Sequence, residues 1–130
     1  MAGVTFRDET ATGRPVSRWE LGGLPDRMTV RELIRLRVRE EVDRHNVRPS
    51  DRFYGLVRPD DAETELNGYR LRTPRRIDWR RQAEAAERAF LANGFFVLAG
   101  DRQVEDLDEV VDLTAGPDLV FIKLVALAGG

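Results

Sequence analysis

The sequence has no cysteine among its 130 residues, which excludes disulfide bonds, thiolate metal sites and cysteine nucleophiles. Histidine is nearly absent too, because His45 is the only one. A lone histidine without a cysteine or a second histidine is a poor metal-ligand candidate. We therefore interpret His45 as a structural residue near the end of a helix, where a cation suits the helix dipole, and we predict no metal and no cofactor.

The sequence also has no large excess of either charge, since it contains 21 basic and 23 acidic side chains and its net charge is −2. This balance gives no signal for binding a polyanion, so we expect no nucleic-acid partner. No run of 18 apolar residues occurs, and Lys123 divides the best candidate. The start at residues 1–4 lacks the basic and apolar regions of a signal peptide. We expect no membrane partner and a cytoplasmic location.

Lysine is the third scarce residue, since Lys123 stands alone against 20 arginines. A GC-rich genome that favours arginine codons would produce this composition. A chain whose carboxyl end is coupled to amines would also benefit from carrying few amines of its own. The two readings are compatible, and both remain open.

The first 45 residues predict a hairpin followed by a helix. Apolar and polar residues alternate over 4–8 and 17–21, and a turn cluster at 10–15 with Gly13 separates the two runs. Thr29 and Glu32 have the spacing of a capping box at a helix start. The helical stripe that follows predicts a face packed on a sheet, formed by Val30, Leu33, Ile34, Val38 and Val42.

The segment 46–94 is predicted to be an insertion within a single domain that spans 1–130. Short extended pieces at 53–57 and 69–71, separated by turn residues, indicate a small hairpin. A second helix is predicted from an Asp78 N-cap to the stop signal at Asn93. The insertion also carries a basic cluster that would suit a phosphate or RNA site, although a solvated face or a docking surface is favoured. This cluster comprises Arg70, Arg72, Arg75 and Arg76.

The C-terminal part predicts a second group of strands. An apolar strand at 95–99 is followed by a turn and a short strand at 102–104. In the acidic stretch 105–110, Leu107 and Val110 are expected to point inward. A final β-branched strand begins at 118 and runs into a diglycine. A diglycine without Cβ atoms can thread a narrow channel and present its carboxylate to another protein, although Gly-rich ends also occur without function.

Several local strings, in the same order, resemble ubiquitin and the other β-grasp modifiers. The turn at 10–13 resembles the first hairpin turn of ubiquitin, and 29–32 resembles its threonine-led helix start. Residues 98–106 resemble its third strand, turn and short fourth strand, and 127–130 resemble its tail. The resemblance covers 4–45 and 95–130, and the chain departs from the family in the insertion 46–94.

The resemblance implies an α+β, ubiquitin-like β-grasp fold in which a mixed sheet packs on a helix. It also implies a function as a protein modifier and not as an enzyme. A separate activating enzyme would adenylate the Gly130 carboxylate with ATP, pass it on as a thioester, and lead to an amide with a target amine. Gly130 and Gly129 would be the reacting end. If Gly130 ends the product, no processing protease is required. The tail segment before the diglycine, which the activating enzyme would recognise, would be formed by Ala128, Leu127 and Ala126.

The same resemblance places a partner patch on Ala11, Val97 and Leu124 or Val125. Alanines replace the arginines of the ubiquitin tail, which argues against recognition by eukaryotic activating enzymes. Lysine-linked polymers are not expected, because Lys123 lies in a predicted core strand. The α-amino group of the N-terminus then remains as the amine through which polymers could form. The arginine-rich, cysteine-free composition resembles bacterial ubiquitin-like proteins that are encoded beside activating enzymes, conjugating enzymes and JAB-type deconjugating peptidases, some of which act against phage.

The residues themselves show no constellation typical of catalysis. No nucleophile has an adjacent base, and Gly22-Gly23 lacks the lysine and serine of a phosphate-binding loop. Three hypotheses remain open: a modifier that forms amide bonds with target proteins, a sulfur carrier with a C-terminal thiocarboxylate, and an interaction module with an inert tail.

Overall fold

The computed structural model describes residues 2–65 and 68–123. Within these residues it contains two helices and ten strands, so the α+β prediction is confirmed. In chain order the elements are β1 (Ala2–Thr10), β2 (Pro15–Leu24), β3 (Arg27–Thr29), α1 (Val30–Val47), β4 (Arg52–Phe53), β5 (Glu63–Glu65), β6 (Gly68–Arg70), α2 (Trp79–Leu91), β7 (Phe95–Ala99), β8 (Arg102–Val104), β9 (Val110–Asp112) and β10 (Asp118–Lys123).

The largest sheet has five strands in the order β2-β1-β10-β7-β8. Its central pair, β1 and β10, is parallel, and its other neighbouring strands are antiparallel. The last described strand therefore lies between the N-terminal hairpin and β7. In the register of the parallel pair, Phe6 lies opposite Leu119 and Thr10 lies opposite Lys123.

The predicted hairpin is confirmed as β1 and β2. Side chains of β1 alternate between the two faces of the sheet, so that Val4, Phe6 and Asp8 all point into the interior. Gly13 has φ of 84° in the connecting turn, a conformation that costs glycine little because it has no Cβ. An aspartate in the place of a third apolar residue is the unusual feature of this strand.

Helix α1 begins at the predicted capping box. Thr29 Oγ1 accepts a hydrogen bond from Glu32 N at 3.1 Å, and Glu32 Oε1 accepts one from Thr29 N at 3.2 Å. All five residues of the predicted stripe are buried. They form the core with the inner face of the sheet, where Phe6, Val97 and Phe121 have no exposed surface.

The insertion forms more structure than the small hairpin that was predicted. Three short strands in its described part make a separate sheet in the order β4-β6-β5. The second helix is confirmed, because the Asp78 side chain accepts a hydrogen bond from Arg80 N at 2.9 Å and the chain turns at Asn93 with φ of 61°. Helix α2 packs along α1 through small side chains, of which Ala83 and Ala86 are fully buried.

The prediction for Val110 is wrong, whereas that for Leu107 is confirmed. Val110 is 54% exposed, and its neighbour Val111 is the buried residue. The cause is a short pairing between β3 and β9 that was not predicted, in which Met28 lies opposite Val111. Because side chains alternate along a strand, an error of one residue exchanges the two faces.

Candidate functional site

Strand β10 is the described part of the chain that lies nearest in sequence to the predicted reacting end. Its residue Lys123 lies opposite Thr10 of β1 and Phe95 of β7. The predicted tail residues Gly130, Gly129, Ala128, Leu127 and Ala126 lie outside the described residues, as do Leu124 and Val125 of the predicted patch.

A buried cluster of ion pairs lies between α1 and the inner face of the sheet. Arg37 on α1 is 2% exposed and forms a bidentate ion pair with Asp8 of β1, in which Nη2 donates to Oδ2 at 2.7 Å. Its Nε donates to Glu41 Oε1, one helical turn further along α1, at 2.5 Å. Asp8 and Glu41 are themselves buried, so the ion pairs are largely shielded from water.

Aromatic rings surround the guanidinium group of Arg37. Its Cζ lies 4.4 Å from the centroid of the Phe121 ring and 5.0 Å from that of Trp19. These distances fit cation–π contacts, which gain strength where the cation is desolvated. Arg37 therefore connects α1 to β1, β2 and β10 at once.

The insertion completes the cluster from the other side. Leu56 N donates to Glu41 Oε2 at 3.0 Å, and Lys123 Nζ donates to the Gly55 carbonyl oxygen at 2.8 Å. The same Nζ lies 5.7 Å from the centroid of the Tyr69 ring. The loop after β4 and the strand β6 thus contact the end of β10 directly. We call Asp8, Arg37, Glu41 and Lys123 the charge cluster.

Burial and the mutual charges set the protonation of the charge cluster. Burial raises the pKa of Glu41, and the positive charge of Arg37 opposes this rise. Burial works against the charged form of Arg37, but Glu41 and Asp8 outweigh it and raise the pKa of the guanidinium. Burial lowers the pKa of Lys123, with a further contribution from the charge of Arg37, while Asp8 and Glu41 oppose it. Two carboxylates and two cations leave the cluster neutral when all four are ionised.

The charge cluster is suited to holding the fold rather than to acid–base chemistry. Both carboxylates accept hydrogen bonds from Arg37, and Glu41 also accepts one from the backbone of the insertion. Neither is presented to a cleft that a substrate could enter, since both side chains are almost fully buried. The consequence is structural: α1, the sheet and the insertion are joined around Arg37 and Lys123.

The predicted partner patch requires a correction at Val97. Ala11 is exposed in the turn between β1 and β2, but Val97 is fully buried on the core face of β7. The residues of β7 that face outward are its neighbours Phe96 and Leu98, both partly exposed, and Ile122 of β10 lies opposite Phe96. The shift is again one residue along a strand, which exchanges the faces.

The basic cluster of the insertion is partly engaged within the molecule. Arg70 pairs with Glu65 at 3.0 Å, and Arg75 Nη2 donates to the Asp60 carbonyl oxygen at 2.5 Å. His45 also contacts the insertion, because its Nε2 lies 2.7 Å from the Arg75 carbonyl oxygen and its ring makes a T-shaped contact with that of Phe53. The interpretation of His45 as a structural residue fits these contacts.

Sequence reasoning did not single out Asp8, Arg37 or Glu41. A usable signal was present, because Asp8 continues the buried alternation of Val4 and Phe6. On α1, Arg37 and Glu41 lie four residues apart on the face of the predicted apolar stripe. Charged residues of both signs on two buried faces indicate a buried ion pair.

The described residues contain no group of three or more histidine, aspartate or glutamate side chains arranged to hold a metal ion. Neither helix in the described part of the chain is long and apolar enough to cross a membrane. Comparisons with protein-family models, with curated proteins and with solved structures found no match for this chain.

Proposed function

We propose that this chain is a ubiquitin-like β-grasp modifier. In this proposal a separate activating enzyme uses ATP to activate the Gly130 carboxylate, which is then joined to amines of target proteins. The chain is the carrier and substrate of these reactions and not their catalyst. A conjugating enzyme and a JAB-type deconjugating peptidase are the further proposed partners, in a bacterial conjugation system of the kind that in some cases acts against phage.

The observation that carries the proposal is the position of β10. The strand that leads towards the diglycine lies at the centre of the five-stranded sheet, parallel to β1, and its Phe121 contacts Arg37 of α1. The pairing of the first and last described strands, beside an N-terminal hairpin and a helix, supports the proposal of a β-grasp modifier. A different order, with β10 at an edge or paired with β2, would have removed this support.

The charge cluster supports the proposal in a second way. A modifier is recognised by its body while its carboxyl end reacts in another protein, so the strand that leads towards that end must have a fixed position on the body. Lys123 of this strand is held by the insertion through its hydrogen bond to Gly55. The partly exposed apolar residues Phe96 and Leu98 are the proposed body contact for partners, in place of Val97.

The test is the intact mass of the chain after incubation with ATP and its activating and conjugating enzymes. Covalent products heavier by whole target proteins are expected, and deletion of Gly130 should abolish them. A gain equal to the replacement of one oxygen by sulfur would instead identify a sulfur carrier. An unchanged mass in the presence of active enzymes would contradict both and leave an interaction module.

A further inference from the structure

Lys123 creates a hazard for the proposed chemistry. Only six residues, 124–129, separate it in sequence from Gly130, and it is the only side-chain amine of the sequence. An amine tethered close to an activated carboxyl group competes with target amines through its high effective concentration. In the competing reaction Nζ would attack the thioester carbon, the carbon–sulfur bond would break, the thiolate would leave, and the amine would lose a proton. The product would be a self-acylated chain.

The described contacts oppose this reaction. Nucleophilic attack needs a neutral amine whose lone pair can approach the acyl carbon. Nζ of Lys123 donates instead to the Gly55 carbonyl oxygen at 2.8 Å, and it lies 5.7 Å from the centroid of the Tyr69 ring. The lowered pKa of Lys123 would by itself favour the neutral amine, so any protection must come from these contacts, because the side chain is only half-buried.

The glycine at position 55 is a structural requirement of this arrangement. A Cβ atom there would lie 2.2 Å from Cε2 of Phe53 and 3.0 Å from Oε2 of Glu41. The Phe53 ring is buried and packed against His45, so it has little freedom to move away. Only a residue without a side chain lets the carbonyl of position 55 reach Lys123 in this packing.

We infer that the insertion shields the amine of Lys123 from acyl transfer, so that the chain does not acylate itself at its only lysine. The biological purpose of this shield rests on the proposed function, whereas the shield itself is a property of the folded chain. It assigns a role to the loop after β4 and to β6: they hold the end of β10 and cover its amine. An amine left for self-coupling is then the α-amino group of the N-terminus.

The shield is tested without any enzyme, by acetylation with an amine-reactive ester and peptide mapping. The rate at Lys123 is compared in the native chain and in guanidinium, where the same lysine is free. Native Lys123 is expected to react at least about tenfold more slowly, a protection typical of groups exposed only by local opening. Equal rates in the two states, after correction for the effect of guanidinium on a model lysine peptide, would overturn the inference.

Two pairs of variants locate the protection. Gly55→Ala should speed labelling of Lys123, whereas Gly22→Ala should not, because a Cβ at Gly22 meets nothing within 4 Å. Circular dichroism establishes that both variants fold. If Gly55→Ala does not fold, Tyr69→Ala replaces it, with Val16→Ala as its control, because Val16 is 66% exposed and lies on β2, outside the insertion. Unchanged Lys123 labelling in the folded Gly55→Ala or Tyr69→Ala variant would show that the insertion is not the shield.

The conjugation reaction adds a separate outcome. Products of wild-type chain linked through Lys123 would overturn the inference, and products linked through Lys123 only in Gly55→Ala would support it. The proposed function fails independently, if no ATP-dependent product forms at all. In that case the labelling experiment still decides whether Lys123 is shielded.

Discussion

Replacement of Arg37 by alanine tests the physical basis of the charge cluster. The substitution leaves the Asp8 and Glu41 carboxylates buried without the guanidinium that pairs with both. Breaking a buried ion pair by removal of one partner costs about 3–5 kcal/mol. Arg37 also packs on Phe121 and Trp19, so we expect Arg37→Ala to fall in the upper part of that range. Such a loss is a large fraction of the stability of an ordinary domain.

The assay is urea denaturation followed by circular dichroism, and Arg81→Ala is the matched control. Arg81 is also an arginine on a helix and forms an ion pair with Asp60 at 3.2 Å, but both side chains are at least 70% exposed. Exposed pairs contribute little, so we expect the control to change the free energy of unfolding by no more than about 1 kcal/mol. The difference between the two variants measures what burial adds.

A triple variant separates the lost attraction from the cost of unpaired charge. When Asp8→Asn and Glu41→Gln accompany Arg37→Met, no charge remains unpaired among these three positions. The triple variant should therefore be more stable than Arg37→Ala alone. A loss for Arg37→Ala no larger than that for Arg81→Ala would refute the reasoning.

Three further predictions concern the helix and the charge cluster. Leu33→Ala should lower the free energy of unfolding by about 2–5 kcal/mol, because it leaves a cavity in the core. The control Leu91→Ala, at a residue that is 65% exposed, should lower it by about 0.5 kcal/mol or less in the same urea denaturation. Equal losses would show that α1 is not packed as described. Thr29→Ala should cost about 1 kcal/mol by removing the N-cap, and no loss would contradict the capping box. Burial raises the pKa of Glu41 in the native state above its ordinary value of about 4.3, which applies in the unfolded chain. At a pH between the unfolded-state and native-state pKa, the native state therefore holds more protons than the unfolded chain. Wild type should therefore gain stability relative to Glu41→Gln as the pH falls through that window, and a difference independent of pH would contradict this.

The elements that were predicted correctly are those whose signals are local. The capping box at Thr29, the stripe of α1, the N-cap at Asp78 and the turn at Gly13 depend on residues within a few positions of one another. Such features require no knowledge of the remaining chain, because their hydrogen bonds and periodicity are set within one element.

The errors arose where a long-range contact decides the structure. Strand β9 forms only because β3 lies beside it, and three residues are too few to show a period. The three strands of the insertion are equally short. At Val97 the resemblance placed a residue of an exposed patch at a position that is fully buried, since the side chains of a strand change faces with every residue.

The charge cluster was missed because its members resemble surface residues in the sequence. Arg37 and Glu41 lie in a helix with many arginines and glutamates, most of which are not buried. Their burial follows from the approach of Asp8 on β1 and of the backbone at Leu56, from two distant parts of the chain. Lys123 supplies the second positive charge that balances the two carboxylates, and only the folded structure shows that these four groups lie close together.

The most direct test of the proposed modifier function is the identification of branched peptides after conjugation. Trypsin cleaves after Lys123, so a conjugated target should carry residues 124–130 on a lysine through an isopeptide bond from Gly130. Mass spectrometry of ATP-dependent products is expected to find this seven-residue branch, and a chain that lacks Gly130 should form none. ATP-dependent adducts without the branch, or adducts that persist after deletion of Gly130, would contradict the proposal.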